Sequence, residues 1–164
     1  MLTNGTKRKN KILVLGLGNE VIGDEGLGLV IVKEIAEKGL FPEIDFACLS
    51  TGGLDLLEYI VGYDSLLLID TACGNKFEPG TVNYYTPDNF RETLHISSEH
   101  DASFCVAMET GERLGLKIPK QINIIAMEIC CDLYMSEKLS DNIKEQFVEI
   151  RSEIIKFIQK LCCD

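Results

Sequence analysis

Residues 11–28 read KILVLGLGNEVIGDEGLG, an apolar run followed by a glycine-rich turn that carries two adjacent carboxylates. The apolar run over 11–17 is short and bounded by glycine, which is typical of a strand buried inside a parallel sheet. A helical pattern follows from Asp24 to about Lys38, because apolar residues recur there at spacings of three and four. A strand, a tight turn and a helix in this order favour an α/β fold.

The alternation of strand and helix patterns continues along the chain. Further strands are predicted over 44–49, 65–70, 81–85 and 121–127, and further helices over 54–61, over 102–114 and from about Ser140 onward. This order predicts a mainly parallel, twisted sheet of about five strands with helices on both faces. The strand over 81–85 follows Pro79 and Gly80 and alternates, which places it at the sheet edge. The 164 residues fit one α/β domain over 11–164, after a polar arm over 1–10 that we predict to be disordered.

Charge and hydropathy exclude two classes of partner. The formal net charge is −10, and the basic cluster of the chain lies in the short amino-terminal arm. Because phosphate contacts supply most of the affinity of nucleic-acid binders, we expect no nucleic-acid partner. No apolar run reaches the roughly 18 residues of a membrane span, and no secretory apolar segment follows the polar start. We therefore expect a cytoplasmic protein without a membrane partner.

The chain has seven cysteines and no C-x-x-C pair. Two pairs are adjacent in sequence, at 130–131 and 162–163, which fits neither a disulfide framework nor a zinc ribbon. We therefore expect buried free thiols in a reducing compartment. A cysteine-nucleophile hydrolase is a further hypothesis, but no spacing pairs a cysteine with His95 or His100.

The glycine-rich turn after the first strand matches a dinucleotide-binding loop only in part. The G-x-G-x-x-G fingerprint requires glycine at position 21, where this chain has Val21. Asp24 and Glu25 would also repel a pyrophosphate at the start of the helix. Taken singly, Asp24 fits a helix N-cap and Glu25 fits the helix dipole. Together, at the carboxyl end of a strand, they favour a cation site over a nucleotide site.

Asp70 and His100 are further candidates for a metal site. Asp70 ends the apolar run over 66–69, and a carboxylate there costs desolvation free energy unless it is paired or binds a cation. An exposed cap of the next turn is the plainer interpretation. His100 lies at the start of a predicted helix, where a neutral imidazole could bind nickel or zinc. With Glu25 these residues would form an accessible transition-metal site, although spacing along the chain does not show that they meet.

Several segments stand in an order that matches a known family. They are Gly16-x-Gly18-Asn19 with Asp24-Glu25-Gly26-x-Gly28, then Thr51-Gly52-Gly53-Leu54-Asp55-Leu56-Leu57, Leu68-Ile69-Asp70, Pro79-Gly80-Thr81, Ser98-Glu99-His100 and the strand over 122–127. This ordered set resembles the hydrogenase maturation endopeptidases, and the resemblance extends from Lys11 to about Leu161. One departure is that the family's aspartate–glycine–glycine run before Thr51 is replaced by residues 48–50, Cys-Leu-Ser.

The resemblance implies an endopeptidase that removes a C-terminal extension from the precursor of a nickel–iron hydrogenase large subunit after nickel insertion. It implies that Glu25, Asp70 and His100 contact the nickel, which arrives with the substrate. Asp24, Glu25 and Asp70 are the candidate catalytic residues, and the attacking nucleophile stays open. The H-E-x-x-H motif of zinc proteases is missing. The alternative is a non-catalytic nickel-site checkpoint that binds the same partner without cleaving it.

Two more residues are candidates for the same cleft. Cys48 is either a substitute ligand for the missing aspartate or, by the plainer interpretation, a buried strand thiol. Glu128 follows an apolar strand pattern and lies at its carboxyl end, so it is a candidate to face the cleft.

Overall fold

The computed structural model describes residues 10–50, 53–74, 76–87, 89, 99–131 and 135–162. Side chains are described throughout these ranges except at 53 and 99–103. The amino-terminal arm, apart from Asn10, lies outside the described residues, so its predicted disorder stays a prediction. Within the described ranges, no helix is long and apolar enough to cross a membrane.

Strands and helices follow one another along the described residues in the predicted order. The strands are β1 (Ile12–Leu17), β2 (Ile44–Leu49), β3 (Ser65–Ala72), β4 (Val82–Tyr85) and β5 (Gln121–Glu128). The helices are α1 (Leu27–Glu37), α2 (Leu56–Ile60), α3 (Glu99–Arg113) and α4 (Asp141–Leu161), with short 3-10 turns at Gly23–Gly26 and Gly53–Asp55. Every predicted strand and helix has a counterpart, with shifts of a few residues at some ends.

The strands form one sheet in the order β2-β1-β3-β5-β4. Four strands are parallel, and β4 pairs antiparallel with β5 at the sheet edge. The predicted mainly parallel sheet and the edge position of β4 are therefore confirmed. Because β2 and β3 lie on opposite sides of β1, the switch point of the sheet lies between the carboxyl ends of β1 and β3.

Buried apolar side chains cover both faces of the sheet, as predicted. On one face, Val14 of β1 packs in a cluster with Ile31 of α1 and Ile150 of α4. On the other face, Leu15 of β1 packs in a cluster with Phe104 of α3, and α2 contributes to the same cluster. Neighbouring residues of β1 thus point to opposite faces, as the pleat of a strand requires. We call the two sides the α1 face and the α3 face.

The start of the first helix differs from the prediction. Residues 23–26 form a 3-10 turn and α1 begins at Leu27, whereas the sequence pattern predicts a helix from Asp24. Asp24 does not cap the turn or α1, and neither has a side-chain cap hydrogen bond. Its carboxylate instead accepts a hydrogen bond from the backbone N–H of Ser140 at 2.7 Å. The hydrogen-bond partner of Asp24 thus lies 116 residues away in the sequence, and not in the adjacent helix turn.

The cysteine prediction is wrong at two positions. Cys73 and Cys131 form a disulfide, with 5.2 Å between their Cα atoms. They are 58 residues apart in sequence, but each follows one of two paired strands, β3 and β5. Strand pairing, which spacing along the chain does not reveal, brings them together. Cys48, Cys105 and Cys130 are thiols outside any disulfide. The predicted burial is also wrong at Cys130 and Cys162, which are exposed.

Candidate functional site

Asp70 lies near the carboxyl end of β3, with only 5% of its surface exposed. Two more strand residues follow it, rather than none as predicted, because β5 supplies pairing partners for Thr71 and Ala72. Its Oδ1 accepts a hydrogen bond from the Thr71 N–H at 2.7 Å. Its Oδ2 is buried and has no hydrogen-bond partner among the described residues. The backbone therefore fixes one carboxyl oxygen of Asp70 but not the other.

The environment of Asp70 favours its protonated form. Burial raises the pKa of Asp70 from 3.8 to about 7, the Thr71 N–H opposes that rise, and the nearby Glu25 carboxylate adds to it. A carboxyl group with this pKa exchanges its proton near neutral pH. A bound cation would reverse the effect, because a positive charge favours the ionised form.

Glu25 lies on the 3-10 turn between β1 and α1, with its residue surface half-buried. Its carbonyl oxygen accepts a hydrogen bond from the Asn19 N–H at 3.3 Å. Gly18 makes this close approach possible, since a Cβ there would lie 2.2 Å from the Glu25 carbonyl oxygen and φ is +151°. The turn thus brings Glu25 near enough to Asp70 to raise its pKa. Glu25 and Asp70, two of the three predicted ligands, therefore lie close enough at the switch point of the sheet for their charges to interact.

The third predicted ligand, His100, has a described backbone but no described side chain. Its backbone lies in the first turn of α3, the helix that packs on the α3 face. Asp70 projects from that same face, because it alternates with the inward-facing Leu68. Among the described residues, no three carboxylate, imidazole or thiol groups are close enough to hold a metal ion. The set of three ligands stays a prediction.

Asp24 has a structural partner. It is 7% exposed, and its hydrogen bond to Ser140 ties the 3-10 turn to the N-cap of α4. The backbone repeats this connection, since the Gly23 N–H donates to the Ser136 carbonyl at 2.7 Å and the Ser136 N–H donates to the Val21 carbonyl at 3.0 Å. This geometry supports a tethering role for Asp24 rather than the catalytic role considered from the sequence.

We expect Asp24→Ala to lower the free energy of unfolding by about 1–3 kcal/mol, because the half-buried Ser140 N–H loses its acceptor. Urea unfolding would measure the change. Asp141→Ala is the matched control, since its exposed carboxylate pairs with the Lys144 ammonium at the surface of α4 and should matter much less. An unchanged unfolding midpoint for Asp24→Ala would contradict the tethering role and return Asp24 to the catalytic candidates.

Glu128 and Cys48 lie on opposite faces of the sheet. Glu128 is 3% exposed, and its Oε1 accepts a hydrogen bond from the Gly74 N–H at 2.9 Å, so it holds the segment that follows β3. Cys48 is in register with Gly16 and packs on the α1 face, away from Asp70. Its thiol lies 3.7 Å from the Leu29 carbonyl oxygen, and burial raises the pKa of that thiol. Cys48 is thus the strand thiol of the plainer interpretation and not a substitute ligand.

Asn83 is a polar residue with an unusual environment that the sequence pattern did not single out. It lies on β4, and its side-chain Nδ2 is buried without a hydrogen-bond partner among the described residues. The alternation over 81–85 indicates which residues of this strand share a face. It does not show which residue lies opposite on the neighbouring strand, because that depends on the register. Asn83 lies in register with Ala126, which in turn lies in register with Asp70.

The structure is an α/β domain with two acidic side chains, Glu25 and Asp70, at the switch point of a mainly parallel sheet. A family model described as hydrogenase maturation protease, HycI, matches residues 29–157. The chain belongs to the hydrogenase maturation protease family, as its sequence motifs predict.

Individual relatives agree with this assignment. The hydrogenase 2 maturation protease of Escherichia coli is 33% identical over 73 residues, which cover 44% of each chain. The hydrogenase expression/formation protein HupD of Bradyrhizobium diazoefficiens is 29% identical over 126 residues, which cover 75% of this chain and 65% of HupD. The match thus spans less than two thirds of either relative.

A solved structure has the same fold. The hydrogenase maturating endopeptidase HybD from Escherichia coli superimposes with a TM-score of 0.73 at 21% identity. The superposition covers 92% of this chain and 93% of that chain. The likeness confirms the α/β architecture over nearly the full length of both chains.

Proposed function

We propose that this protein is an endopeptidase that removes the C-terminal extension of a nickel–iron hydrogenase large-subunit precursor after nickel insertion. Family membership supports a peptidase that acts in hydrogenase maturation. The observation that carries the finer proposal is the carboxylate pair of Glu25 and Asp70 at the switch point, with Asp70 Oδ2 buried and unpartnered among the described residues.

The carboxylate pair supports recognition of a substrate-borne metal ion. Two carboxylates that repel each other become compatible when a divalent cation binds between them. In the proposal, Glu25 and Asp70 contact the nickel of the precursor, and His100 adds an imidazole nitrogen, a ligand type that suits nickel. The nickel is part of the substrate and not a resident cofactor. Only a precursor with a filled nickel site would then be held in place for cleavage.

Cleavage requires a proton-transfer group as well as recognition. A water molecule must add to the scissile carbonyl carbon, and a proton must reach the nitrogen as the C–N bond breaks. The substrate's nickel would polarise that carbonyl or activate the water. Among Asp24, Glu25 and Asp70, the candidates for moving the proton, Asp24 is already engaged by the Ser140 N–H, which favours Glu25 or Asp70 for this role.

The proposal includes a cytoplasmic location and excludes nucleic-acid and membrane partners. The thiols of Cys48, Cys105 and Cys130 support a reducing compartment, although Cys73 and Cys131 are bonded. The net charge of −10 supports the exclusion of nucleic acid.

Intact-mass spectrometry of a nickel–iron hydrogenase large-subunit precursor tests the proposal. We expect incubation with this protein to remove the C-terminal extension from the nickel-loaded precursor and to leave the nickel-free precursor unchanged. Glu25→Gln and His100→Ala should each slow processing by about 100-fold, with unchanged circular dichroism. Glu43→Gln is the matched control, because Glu43 is exposed next to the amino end of β2, at the opposite end of the sheet.

The same experiment separates the second candidate function, a non-catalytic checkpoint. A carboxylate pair is sufficient to bind a metal ion without cleaving anything, so this alternative uses the same site. Stable binding of the nickel-loaded precursor with no change in its mass would support the checkpoint. Normal processing by both Glu25→Gln and His100→Ala would overturn the assignment of the site.

A further inference from the structure

A disulfide links two segments at the end of the sheet where Glu25 and Asp70 lie. Cys73 directly follows β3, three residues after Asp70, and Cys131 lies three residues after the end of β5. Their Cα atoms are 5.2 Å apart. Neither cysteine is fully buried, so a small thiol reagent has access to the bond from solvent.

The chain after Cys131 leads to the segment that holds the Glu25 turn. Three hydrogen bonds of 2.7, 2.7 and 3.0 Å join residues 136–140 to residues 21–24. The first residue of that segment lies only five residues after Cys131. The disulfide therefore connects the strand that carries Asp70 to the segment that holds the turn of the other carboxylate.

The sheet alone holds a shorter part of this chain. Backbone pairing with β3 extends one residue past β5, to Ile129, whose N–H donates to the Ala72 carbonyl oxygen at 2.8 Å. The disulfide extends this attachment by two residues, to Cys131. Fewer free residues then separate the sheet from the segment that holds the turn, so the turn has less freedom to move relative to β3.

Such a movement is needed before a metal ion can contact Asp70. The residue is 5% exposed, and its Oδ2 is buried without a hydrogen-bond partner among the described residues. A bond from a carboxylate oxygen to a divalent transition metal spans only about 2 Å. The turn over Gly23–Gly26, which carries Glu25, is in contact with β3. Nickel held by the precursor can therefore reach Asp70 only if the surroundings of this oxygen open.

The remaining cysteines indicate why the bond would be reversible. Cys48, Cys105 and Cys130 are thiols, which supports the reducing compartment proposed above. Disulfides in such compartments are usually transient, and they are either catalytic or redox-sensing. The proposed cleavage uses no thiol, so redox sensing is the role that fits this bond.

We propose that Cys73 and Cys131 form a redox switch: their disulfide holds the Glu25 turn against β3 and keeps the precursor's nickel from Asp70, and its reduction restores processing. This inference rests on the proposed function, because it concerns the regulation of the same site. A dithiol breaks the S–S bond through a mixed disulfide. Two electrons and two protons pass to the cysteine sulfurs, and the dithiol leaves as a disulfide.

The first test compares the disulfide-bonded protein with protein that has been reduced by dithiothreitol. Gel filtration without oxygen removes the reductant before the nickel-loaded precursor is added, and alkylation with intact-mass measurement confirms two additional thiols. We expect kcat/KM to be about tenfold higher for the reduced protein. Equal kcat/KM for the two forms would overturn the proposal.

The double variant Cys73→Ser with Cys131→Ser removes the switch without a reductant. We expect it to process the precursor as fast as the reduced wild type, both before and after treatment with a small-molecule disulfide. Cys130→Ser is the matched control, because this exposed neighbour of Cys131 lies outside the bond and its loss should keep the redox response. A folded double variant as slow as the disulfide-bonded wild type would contradict the switch.

Amide hydrogen exchange tests the switch without any cleavage. We expect exchange over residues 19–26 and 136–140 to become about tenfold faster after reduction, while the amides of β1 stay unchanged. Unchanged exchange over both segments would overturn the switch, whether or not the protein cleaves the precursor. Faster exchange after reduction, with no cleavage by either form, would support the switch and overturn the endopeptidase proposal instead.

Discussion

Asp70→Asn is expected to make the protein more stable at pH 8 and to abolish processing of the precursor. The folded-state pKa of Asp70 is about 7 and the unfolded value is 3.8, so the folded protein keeps this proton over a pH range in which the unfolded chain has lost it. Raising the pH from about 4 through 7 therefore removes stability. A pKa difference of about 3 units corresponds to roughly 4 kcal/mol. Asparagine keeps an oxygen for the Thr71 N–H and never ionises, so it avoids this cost.

Urea unfolding between pH 4 and pH 8, in the presence of a chelator, would measure the effect. We expect the wild-type and Asp70→Asn proteins to be nearly equally stable at pH 4 and to diverge as the pH rises through 7. Asp141→Asn is the matched control, because the exposed Asp141 carboxylate has its pKa lowered by the hydrogen bond from Lys144 and should not gain stability at pH 8. A variant less stable than wild type at pH 8 would contradict the burial argument.

Higher stability together with lost activity in the Asp70→Asn variant would identify Asp70 as a functional carboxylate. A buried acid that served only the fold would be selected to have a partner, since an unpartnered charge costs stability. Asp70 is held by one backbone hydrogen bond and is otherwise left beside the like charge of Glu25. That arrangement favours a site that is completed by a cation or by a donor from the substrate.

The sequence predicted those features of the fold that depend on local pattern. The apolar run over 11–17 and the regular stripe of α4 correspond to β1 and to the 21-residue helix Asp141–Leu161, because burial periodicity is a local property. The expectation that Asp24, Glu25 and Asp70 lie near the carboxyl ends of β1 and β3 follows from the same local pattern, and the structure has them there.

Features that depend on pairing between distant segments were not predictable. Asp24 was assigned a local cap because its partner, Ser140, is 116 residues away. The disulfide and the row of Asp70, Ala126 and Asn83 depend on which strands are neighbours and on their register. A register shift of one residue would send Asn83 to the other face, and nothing in the residues of β4 alone fixes that register.

Gly28→Ala is expected to destabilise the protein strongly, by about 3 kcal/mol or more. A Cβ at Gly28 would lie 2.4 Å from the Leu17 carbonyl oxygen and 2.8 Å from the Ile69 carbonyl oxygen. Both oxygens belong to the backbones of β1 and β3 in the middle of the sheet, so neither can move alone. The added methyl group would instead push α1 away from the sheet and loosen the contacts of Ile31 and Ile35.

Thermal unfolding and precursor processing, measured together, distinguish a loss of stability from a loss of activity as the consequence of that clash. Gly39→Ala is the control, since Gly39 has a φ of +60° but open space around its Cβ position, so it tests left-handed backbone strain of about 1 kcal/mol without a clash. Equal melting temperatures for the two variants would contradict a rigid approach of α1 to the sheet.

Gly28 also lies three residues after Glu25, beside the strand that carries Asp70. If Gly28→Ala loses processing at temperatures where it is still folded, and Gly39→Ala does not, then the close approach of α1 to β1 and β3 is what holds Glu25 and Asp70 in the positions that processing requires.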